Sequence, residues 1–255
     1  MRKTIKLPAP ELSQLKEVDI DLDMTGRHYA TLATSEGQIA EDVAFAILKD
    51  LIEQDANKLT LSELRYLFML VKINAMENSY FVDVACTHTN KKGEACGYVN
   101  HFEVKLSDAD LHRTPRNYKV PEISFVNLEN EEKIYTVMPP TMDMESALLN
   151  WFLVEKNHSV EEITENAQDA LSFSFIRSLM HLVDKNGNRL ISTVSQFETA
   201  DQYFDCNKFT TIKKLYEHST EVDSFGVQDK TYEFKCKECG GRIIFRLPLL
   251  HGLVD

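Results

Sequence analysis

Residues 231–247 read TYEFKCKECGGRIIFRL, in which the turn Cys236-Lys237-Glu238-Cys239-Gly240-Gly241 separates two runs of strand-forming residues. Zinc in proteins prefers four soft ligands in a tetrahedron, and a tight turn between two strands commonly supplies two of them. A glycine after the second cysteine lets the backbone fold beneath the ion. The spacing therefore predicts a β-hairpin, with strands at 231–235 and 242–247, that carries a metal-binding pair of cysteines at its tip.

A second pair of cysteines, Cys86 and Cys96, lies in the middle of the chain and also ends in Cys-Gly. Alternating residues at 80–84 and 98–102 flank it and predict a second hairpin. Its interval is longer than the usual two to four residues, so we expect a knuckle with an inserted loop at 87–95. Two remote half-sites that share one ion would clip the C-terminal part of the chain to its middle.

We predict a structural Zn²⁺ site with the ligands Cys86, Cys96, Cys236 and Cys239, since four protein ligands leave no open position for a catalytic water. Two alternatives stay open. His88 or His101 could replace one cysteine, or the middle pair could be simple buried thiols while the last pair has a redox role. A redox Cys-x-x-Cys usually lies at a helix N-terminus, whereas strands are expected on both sides here. The fifth cysteine, Cys206, is expected to be a core residue.

Charge and composition narrow the function classes. The 255 residues include 40 acidic and 28 basic side chains, a formal net charge of -12, which repels nucleic acid and anionic membranes. No apolar run reaches the about 18 residues of a membrane span, and no signal peptide is recognisable at the start. We therefore expect a cytosolic protein with reduced cysteines and with no membrane or nucleic-acid partner.

Motifs of enzymes are absent from the sequence. It contains no glycine-rich phosphate loop, no His-Glu-x-x-His and no Gly-x-Ser-x-Gly, so we expect neither an enzyme nor a small-molecule substrate. Zinc ribbons often bind nucleic acid, and modest basic patches occur at Lys91-Lys92 and at Arg113 with Arg116. A zinc-ribbon adaptor that binds nucleic acid therefore remains the alternative function, against the acidic total charge.

Periodicity and capping signals place the remaining elements. Thr60 with Glu63 and Thr193 with Gln196 have the spacing of capping boxes, and Thr141 is a plausible N-cap. Helices are predicted over 39–52, 60–71, from 141 onward, 160–183, 193–203 and 207–218, with a short helical turn at 108–111. Strand-like or extended runs are predicted at 18–22, 29–32, 123–128 and 133–137.

These elements predict an α+β protein, in which a zinc-ribbon-like β section from the middle and C-terminal hairpins packs with an α-helical subdomain. The expected divisions are an N-terminal arm that packs poorly on itself (1–36), a helical hairpin with the first cysteine hairpin (37–140), the helical subdomain (141–222) and the closing cysteine hairpin (223–255).

The order of several short motifs along nearly the whole chain resembles the T4-like bacteriophage baseplate hub assembly family. The motifs are Leu7-Pro8, the stretch 59–67 (LTLSELRYL), the cysteine hairpin that leads to Asp110-Leu111, Met138-Pro139-Pro140-Thr141, Phe225-Gly226 and Cys236-x2-Cys239. The resemblance implies a non-enzymatic protein that contacts hub and tail proteins of the phage baseplate. It also implies a location in the host bacterial cytoplasm or in the virion baseplate, and it carries the family's cysteines onto Cys86, Cys96, Cys236 and Cys239.

Overall fold

The computed structural model describes residues 2–34, 40–75, 79–89, 95–105, 110–157, 159, 166–228 and 230–247. The strands are β1 Arg2–Lys6, β2 Glu17–Asp21, β3 Ser79–Ala85, β4 Val99–Lys105, β5 Asp110–His112, β6 Glu122–Val126, β7 Glu132–Val137, β8 Leu182–Val183, β9 Gly226–Gln228, β10 Lys230–Lys235 and β11 Arg242–Leu247. The helices are α1 Gly26–Ala33, α2 Ala40–Leu51, α3 Leu61–Ala75, α4 Met142–Asn150, α5 Ala167–Met180, α6 Val194–Phe197, α7 Gln202–Cys206 and α8 Phe209–Asp223. Helices and small antiparallel sheets are both present, so the α+β class is confirmed.

The first hydrophobic core lies between the β1–β2 hairpin and the helices α2 and α3. Helix α3 begins with the predicted capping box: the backbone N–H of Thr60 donates to the Glu63 carboxylate at 2.8 Å, and the N–H of Glu63 donates to Thr60 Oγ1 at 3.3 Å. From there its apolar residues recur at helical spacing and are buried against α2 and β2. The predicted helix at 39–52 corresponds to α2 over its described residues, 40–51.

The N-terminal segment differs from the poorly packed arm that we expected. Strand β2 confirms the run at 18–22, and its Val18 and Ile20 are fully buried in the first core. Residues 29–32, expected to be extended, lie instead within helix α1. Helix α1 buries His28 and Leu32, which are four residues apart and therefore lie on one helical face. The segment is thus an integral part of the fold.

The second hydrophobic core is built from the antiparallel sheet β6-β7-β8 and the helices α4, α5 and α8. Thr141 is the N-cap of α4, which continues into a π-helical turn at Trp151–Glu155. A partly buried ion network joins the helices: Arg177 on α5 pairs with Glu145 on α4 and with Asp223 at the end of α8. The Asp223 carboxylate also lies 3.1 Å from Nε2 of the fully buried His181.

Three of the predicted helices in this half have different bounds. The helix expected over 160–183 is described from Ala167 and ends at Met180, because Leu182–Val183 pairs with β7; residues 160–165 lie outside the described part. The helix expected over 193–203 is two short helices, α6 and α7, although the Thr193–Gln196 capping box is confirmed. Helix α8 extends to Asp223, beyond the predicted end at 218.

The two cores are joined directly. Thr60 and Thr141 form an isolated β-bridge, and the N–H of Met142 donates to the carbonyl of Leu59 at 2.8 Å. A helical turn was expected at 108–111, but its described residues, Asp110 and Leu111, belong to β5 and pair antiparallel with β9. Strand β9 also packs against α3. Strand β5 follows the first cysteine hairpin in the chain and β9 precedes the second, so the β5–β9 pair attaches both hairpins to the first core.

Among the residues that the structure describes, no helix is both long enough and apolar enough to cross a membrane.

Candidate metal centre

Two β-hairpins carry the four clustered cysteines. Strands β3 and β4 pair up to Ala85 opposite Val99, and β10 and β11 pair up to Lys235 opposite Arg242. Cys86 and Cys236 are therefore the first residues beyond the last strand pair of each hairpin. Each hairpin presents one cysteine where its first strand ends and the second cysteine from the turn, as the sequence predicts.

Aromatic side chains hold the two hairpins against each other. The ring of Phe102 on β4 stacks on that of Phe234 on β10, with centroids 4.1 Å apart and planes inclined by 16°. Phe245 on β11 lies 6.0 Å from Phe102 and 5.6 Å from Tyr232. Ile73 of α3 and Val104 of β4 continue this layer towards the first core. The stacking fixes the distance between the two tips.

The first knuckle is closed by backbone hydrogen bonds. The N–H of Cys86 donates to the carbonyl of Tyr98 at 2.9 Å, and the N–H of Gly97 donates to the carbonyl of Cys86 at 3.1 Å. Gly97 has φ 65°, a left-handed conformation that glycine adopts without a steric penalty. Residues 90–94 of the inserted loop lie outside the described part, while its base is held by the N–H of Cys96, which donates to the carbonyl of His88.

The second knuckle repeats this arrangement. The N–H of Cys236 donates to the carbonyl of Gly241 at 2.8 Å, and the N–H of Gly240 donates to the carbonyl of Cys236 at 2.9 Å. Gly240 is left-handed with φ 68°, like Gly97. The N–H of Gly241 points at Cys239 Sγ at 3.4 Å. The glycine after each second cysteine therefore has the role that the sequence analysis gave it.

The sulfur atoms of Cys86, Cys96, Cys236 and Cys239 lie within 4.8 Å of one another. Across the two hairpins, Cys86 Sγ is 3.7 Å from Cys239 Sγ and Cys96 Sγ is 3.9 Å from Cys236 Sγ. A regular tetrahedron with sulfurs about 2.3 Å from a central zinc has edges of about 3.8 Å, whereas a disulfide requires about 2.05 Å. The spacing and the soft donor set therefore fit a tetrahedral metal ion.

The two histidines considered as spare ligands are not members of the cysteine cluster among the described residues. The side chain of His88 packs on Gly241 so closely that a Cβ there would lie 2.7 Å from the ring. His101 faces solvent on β4, where it pairs with Asp83. Among the described residues the cluster consists of the four cysteines. Cys206 is half-buried at the end of α7, so the expectation of a core residue was wrong.

The pKa values of Cys236 and Cys86, one cysteine from each knuckle, are shifted in opposite directions. The backbone N–H of Cys239 lowers the pKa of Cys236 to about 6, against the effect of burial and with further help from Asn100. The backbone N–H of His88 lowers the pKa of Cys86, but burial and the adjacent sulfurs outweigh it and raise that pKa to about 12. Four thiolates so close together repel one another, and a divalent cation would relieve that repulsion.

Asn100 connects the two hairpins and was missed in the sequence analysis. Its side chain is fully buried, and its Nδ2 lies 3.5 Å from Cys236 Sγ and donates to the carbonyl of Tyr98 at 3.1 Å. Its Oδ1 accepts a hydrogen bond from the N–H of Lys237 at 2.9 Å. Its position in the alternating pattern of β4 could have identified it. Asn100 lies on the inward face together with Phe102 and Val104, and a buried polar side chain needs hydrogen-bond partners.

A family model described as T4 bacteriophage base plate protein matches residues 23–248 of the chain. This range includes both cysteine hairpins and most of the residues of both hydrophobic cores. No curated protein and no solved structure matches the chain. Since the family model covers most of the chain, the protein belongs to the T4 bacteriophage base plate protein family.

Proposed function

We propose that this chain is a non-enzymatic assembly protein or minor component of the baseplate hub, and that it acts through contacts with other baseplate and tail proteins. The observation that carries the proposal is the family match over residues 23–248. A baseplate is a large assembly of subunits, so membership of the family favours a role in protein contacts over catalysis. The order of the sequence motifs, which resembles the hub assembly proteins, supports the narrower role.

An exposed apolar groove between α5, α7 and α8 supports a role in protein contacts. Its volume is about 690 Å³. Leu171 and Phe209 line it and are 67% and 73% exposed, and Phe204 contributes a third large apolar side chain. Apolar side chains that are exposed together in a groove mark interaction sites more often than chance positions do. This groove is the surface of the second core that a neighbouring subunit would cover.

For the cysteine cluster we propose a structural Zn²⁺ ion with the ligands Cys86, Cys96, Cys236 and Cys239, at the tips of a zinc-ribbon-like pair of hairpins. The near-tetrahedral spacing of the sulfurs supports it. An ion held by four protein ligands has no position for a substrate or a catalytic water. The zinc would therefore fix the two hairpins relative to each other and to α3.

Metal analysis of the purified chain tests the zinc proposal. The parent protein is expected to contain about one zinc per chain, and a Cys239→Ser variant is expected to lose the metal and to melt at a lower temperature. Cys206→Ser is the matched control, because Cys206 lies outside the cluster. Full metal occupancy with unchanged melting of Cys239→Ser would contradict the proposal.

Co-expression with baseplate proteins tests the assembly role separately. Affinity-tagged chain is expected to retain hub subunits of the same phage, and substitution of Leu171 and Phe209 by serine is expected to weaken this retention. The alternative function, a nucleic-acid adaptor, predicts retention on double-stranded DNA at physiological salt instead. Retention on DNA without any retention of hub subunits would favour the adaptor.

A further inference from the structure

A small cleft at the seam between the two cores concentrates positive charge on this acidic protein. Its volume is about 360 Å³, and it lies between the N-terminal segment and the loop 113–116. We name it the basic cleft, and it is defined by the lining cations Lys6, Lys16, Arg113 and Arg116 and by the prolines Pro8, Pro10 and Pro115. All four cations are exposed to solvent.

The cations of the basic cleft lack acidic partners. None of the four forms an ion pair with another described residue, and Arg113 only approaches the ring of Tyr66, at 6.0 Å. Two carboxylates, Glu11 and Glu17, also line the cleft; Glu11 accepts a hydrogen bond from Thr114 Oγ1 at 2.7 Å, and Glu17 lies opposite Lys6 in the β1–β2 pair. The four cations outnumber these two carboxylates, which leaves a local excess of positive charge in a chain with 40 acidic and 28 basic residues.

The backbone around the basic cleft is fixed by the fold. Leu7 is buried in the first core and Ala9 in the second, so the segment that forms one wall is anchored on both sides of Pro8. The N–H of Thr114 donates to the carbonyl of Pro8 at 3.3 Å and holds the opposite wall in place. A ligand would therefore meet a preformed surface, which lowers the entropic cost of binding.

We propose that the basic cleft binds an acidic, extended segment of a partner protein, whose carboxylates pair with Lys6, Lys16, Arg113 and Arg116. Arginine forms bidentate pairs with carboxylates, and the proline-lined walls suit an extended backbone more than a helix. Nucleic acid is the weaker candidate, because the phosphates of a duplex near the cleft are also repelled by the rest of the chain, whose formal net charge is -12. The inference rests on the proposed role in protein contacts and gives the chemistry of one partner.

The test measures binding of a fluorescein-labelled poly-glutamate peptide to the full chain by fluorescence anisotropy, with poly-lysine peptide and a DNA duplex as the other probes. The variant is Lys16→Glu combined with Arg116→Glu, two exposed side chains. Loss of two favourable pairs and gain of two repulsive ones is expected to weaken poly-glutamate binding by at least about tenfold. Binding is also expected to weaken as salt is raised.

The matched control is Lys208→Glu combined with Lys214→Glu. It changes the net charge by the same amount as the test variant, at two exposed positions in or next to helix α8, away from the basic cleft. Poly-glutamate binding to this control is expected to equal that of the parent. Equal weakening in both variants, no binding by the parent, or tighter binding of DNA than of poly-glutamate would each overturn the proposal. Retention of hub subunits is a separate measurement, so failure of the basic cleft and failure of the assembly role can be told apart.

Discussion

At the scale of single residues, Asn100 is expected to hold the second knuckle in place for its metal. Asn100→Ala removes the partner of the Lys237 N–H and the side-chain contact to Cys236 Sγ. Loss of one hydrogen bond costs about 0.5–1.5 kcal/mol, and loss of a group that orients a metal ligand typically weakens metal binding by about 10–100-fold. We expect both effects, measured as the melting temperature and as zinc affinity in competition with a chelator.

Asn100→Asp and Glu103→Gln separate this role from general damage to strand β4. The aspartate keeps the acceptor for Lys237 but replaces the N–H directed at Cys236 by a buried carboxylate that repels the thiolate, so we expect zinc affinity to fall further than in the alanine variant. Glu103 is on the solvent face of the same strand, and Glu103→Gln is expected to leave both quantities unchanged. Zinc affinity of Asn100→Ala equal to that of the parent would show that Asn100 acts only in packing.

Glu63 makes stability depend on pH in a particular direction. Burial raises its pKa to about 7, although Ser13 and Thr60 donate hydrogen bonds that oppose this rise. Between its unfolded value near 4.5 and about 7 the folded state binds more protons, so the free energy of unfolding should decrease as pH rises. The decrease amounts to about 3 kcal/mol at most. Urea denaturation of the parent and of Glu63→Gln at several pH values in this range measures the contribution of Glu63, since glutamine still accepts a hydrogen bond from the Thr60 N–H. If the free energy of unfolding depends on pH in the same way in both proteins, the prediction is wrong.

The clustered cysteine pairs and the capping boxes were predictable at this scale because each pair and each box is local in sequence. Cys-x2-Cys-Gly contains both the thiols and the glycine turn that brings them together, and Thr-x-x-Glu contains both side chains that cap the start of a helix. The pairing of Arg177 with Glu145 and Asp223 was not predictable, because the three residues lie on three helices and meet only when those helices pack. Asn100 belongs to the same class, since its partner Lys237 is remote in the chain.

At the scale of elements, Gly226 lets β9 lie against the start of α3. Its φ is 120°, and a Cβ at this position would lie 2.8 Å from Ser62 Cβ and 3.2 Å from the Ser62 carbonyl oxygen. Gly226→Ala is therefore expected to combine backbone strain with a clash and to lower the free energy of unfolding by at least about 2 kcal/mol. Gly187 also has positive φ, but open space surrounds it, so Gly187→Ala should cost about 1 kcal/mol. Equal losses in urea denaturation would mean that the clash is relieved by a shift of the strand.

Two elements were predicted wrongly for physical reasons that the structure makes clear. Helix α1 begins with a capping box in which His28 takes the place of the usual Glu or Gln: its Nδ1 accepts from the N–H of Thr25 at 3.0 Å. The short alternation at 29–32 was interpreted as extended, because four residues are too few to distinguish the helical period of 3.6 from the strand period of two. Asp110 and Leu111 form a strand because β9, more than a hundred residues later, pairs with them, and such pairing overrides local preference.

At the scale of the whole molecule, the hydrophobic stabilisation is unevenly distributed. The first and second cores each contain many buried aliphatic and aromatic residues from several elements. Among the described residues, the hydrophobic cluster between the cysteine hairpins has four buried members, Cys86, Phe102, Cys236 and Ile243, and two of these are cysteines. A two-stranded hairpin is at best marginally stable by itself. The proposed zinc would therefore matter far more to the hairpins than to the two cores.

Removal of the proposed zinc should consequently loosen the hairpins before it affects the rest of the fold. In amide hydrogen exchange we expect β3, β4, β10 and β11 to lose protection when a chelator removes the metal, because zinc binding supplies their folding free energy. Helices α5 and α8 should keep their protection, since Phe175, Leu179, Ile212 and Leu215 bury them in the second core. The same experiment on Cys206→Ser should match the parent. Simultaneous loss in α5 and α8 would mean that the ion supports the entire molecule, and unchanged protection in the hairpins would mean that aromatic stacking alone holds them.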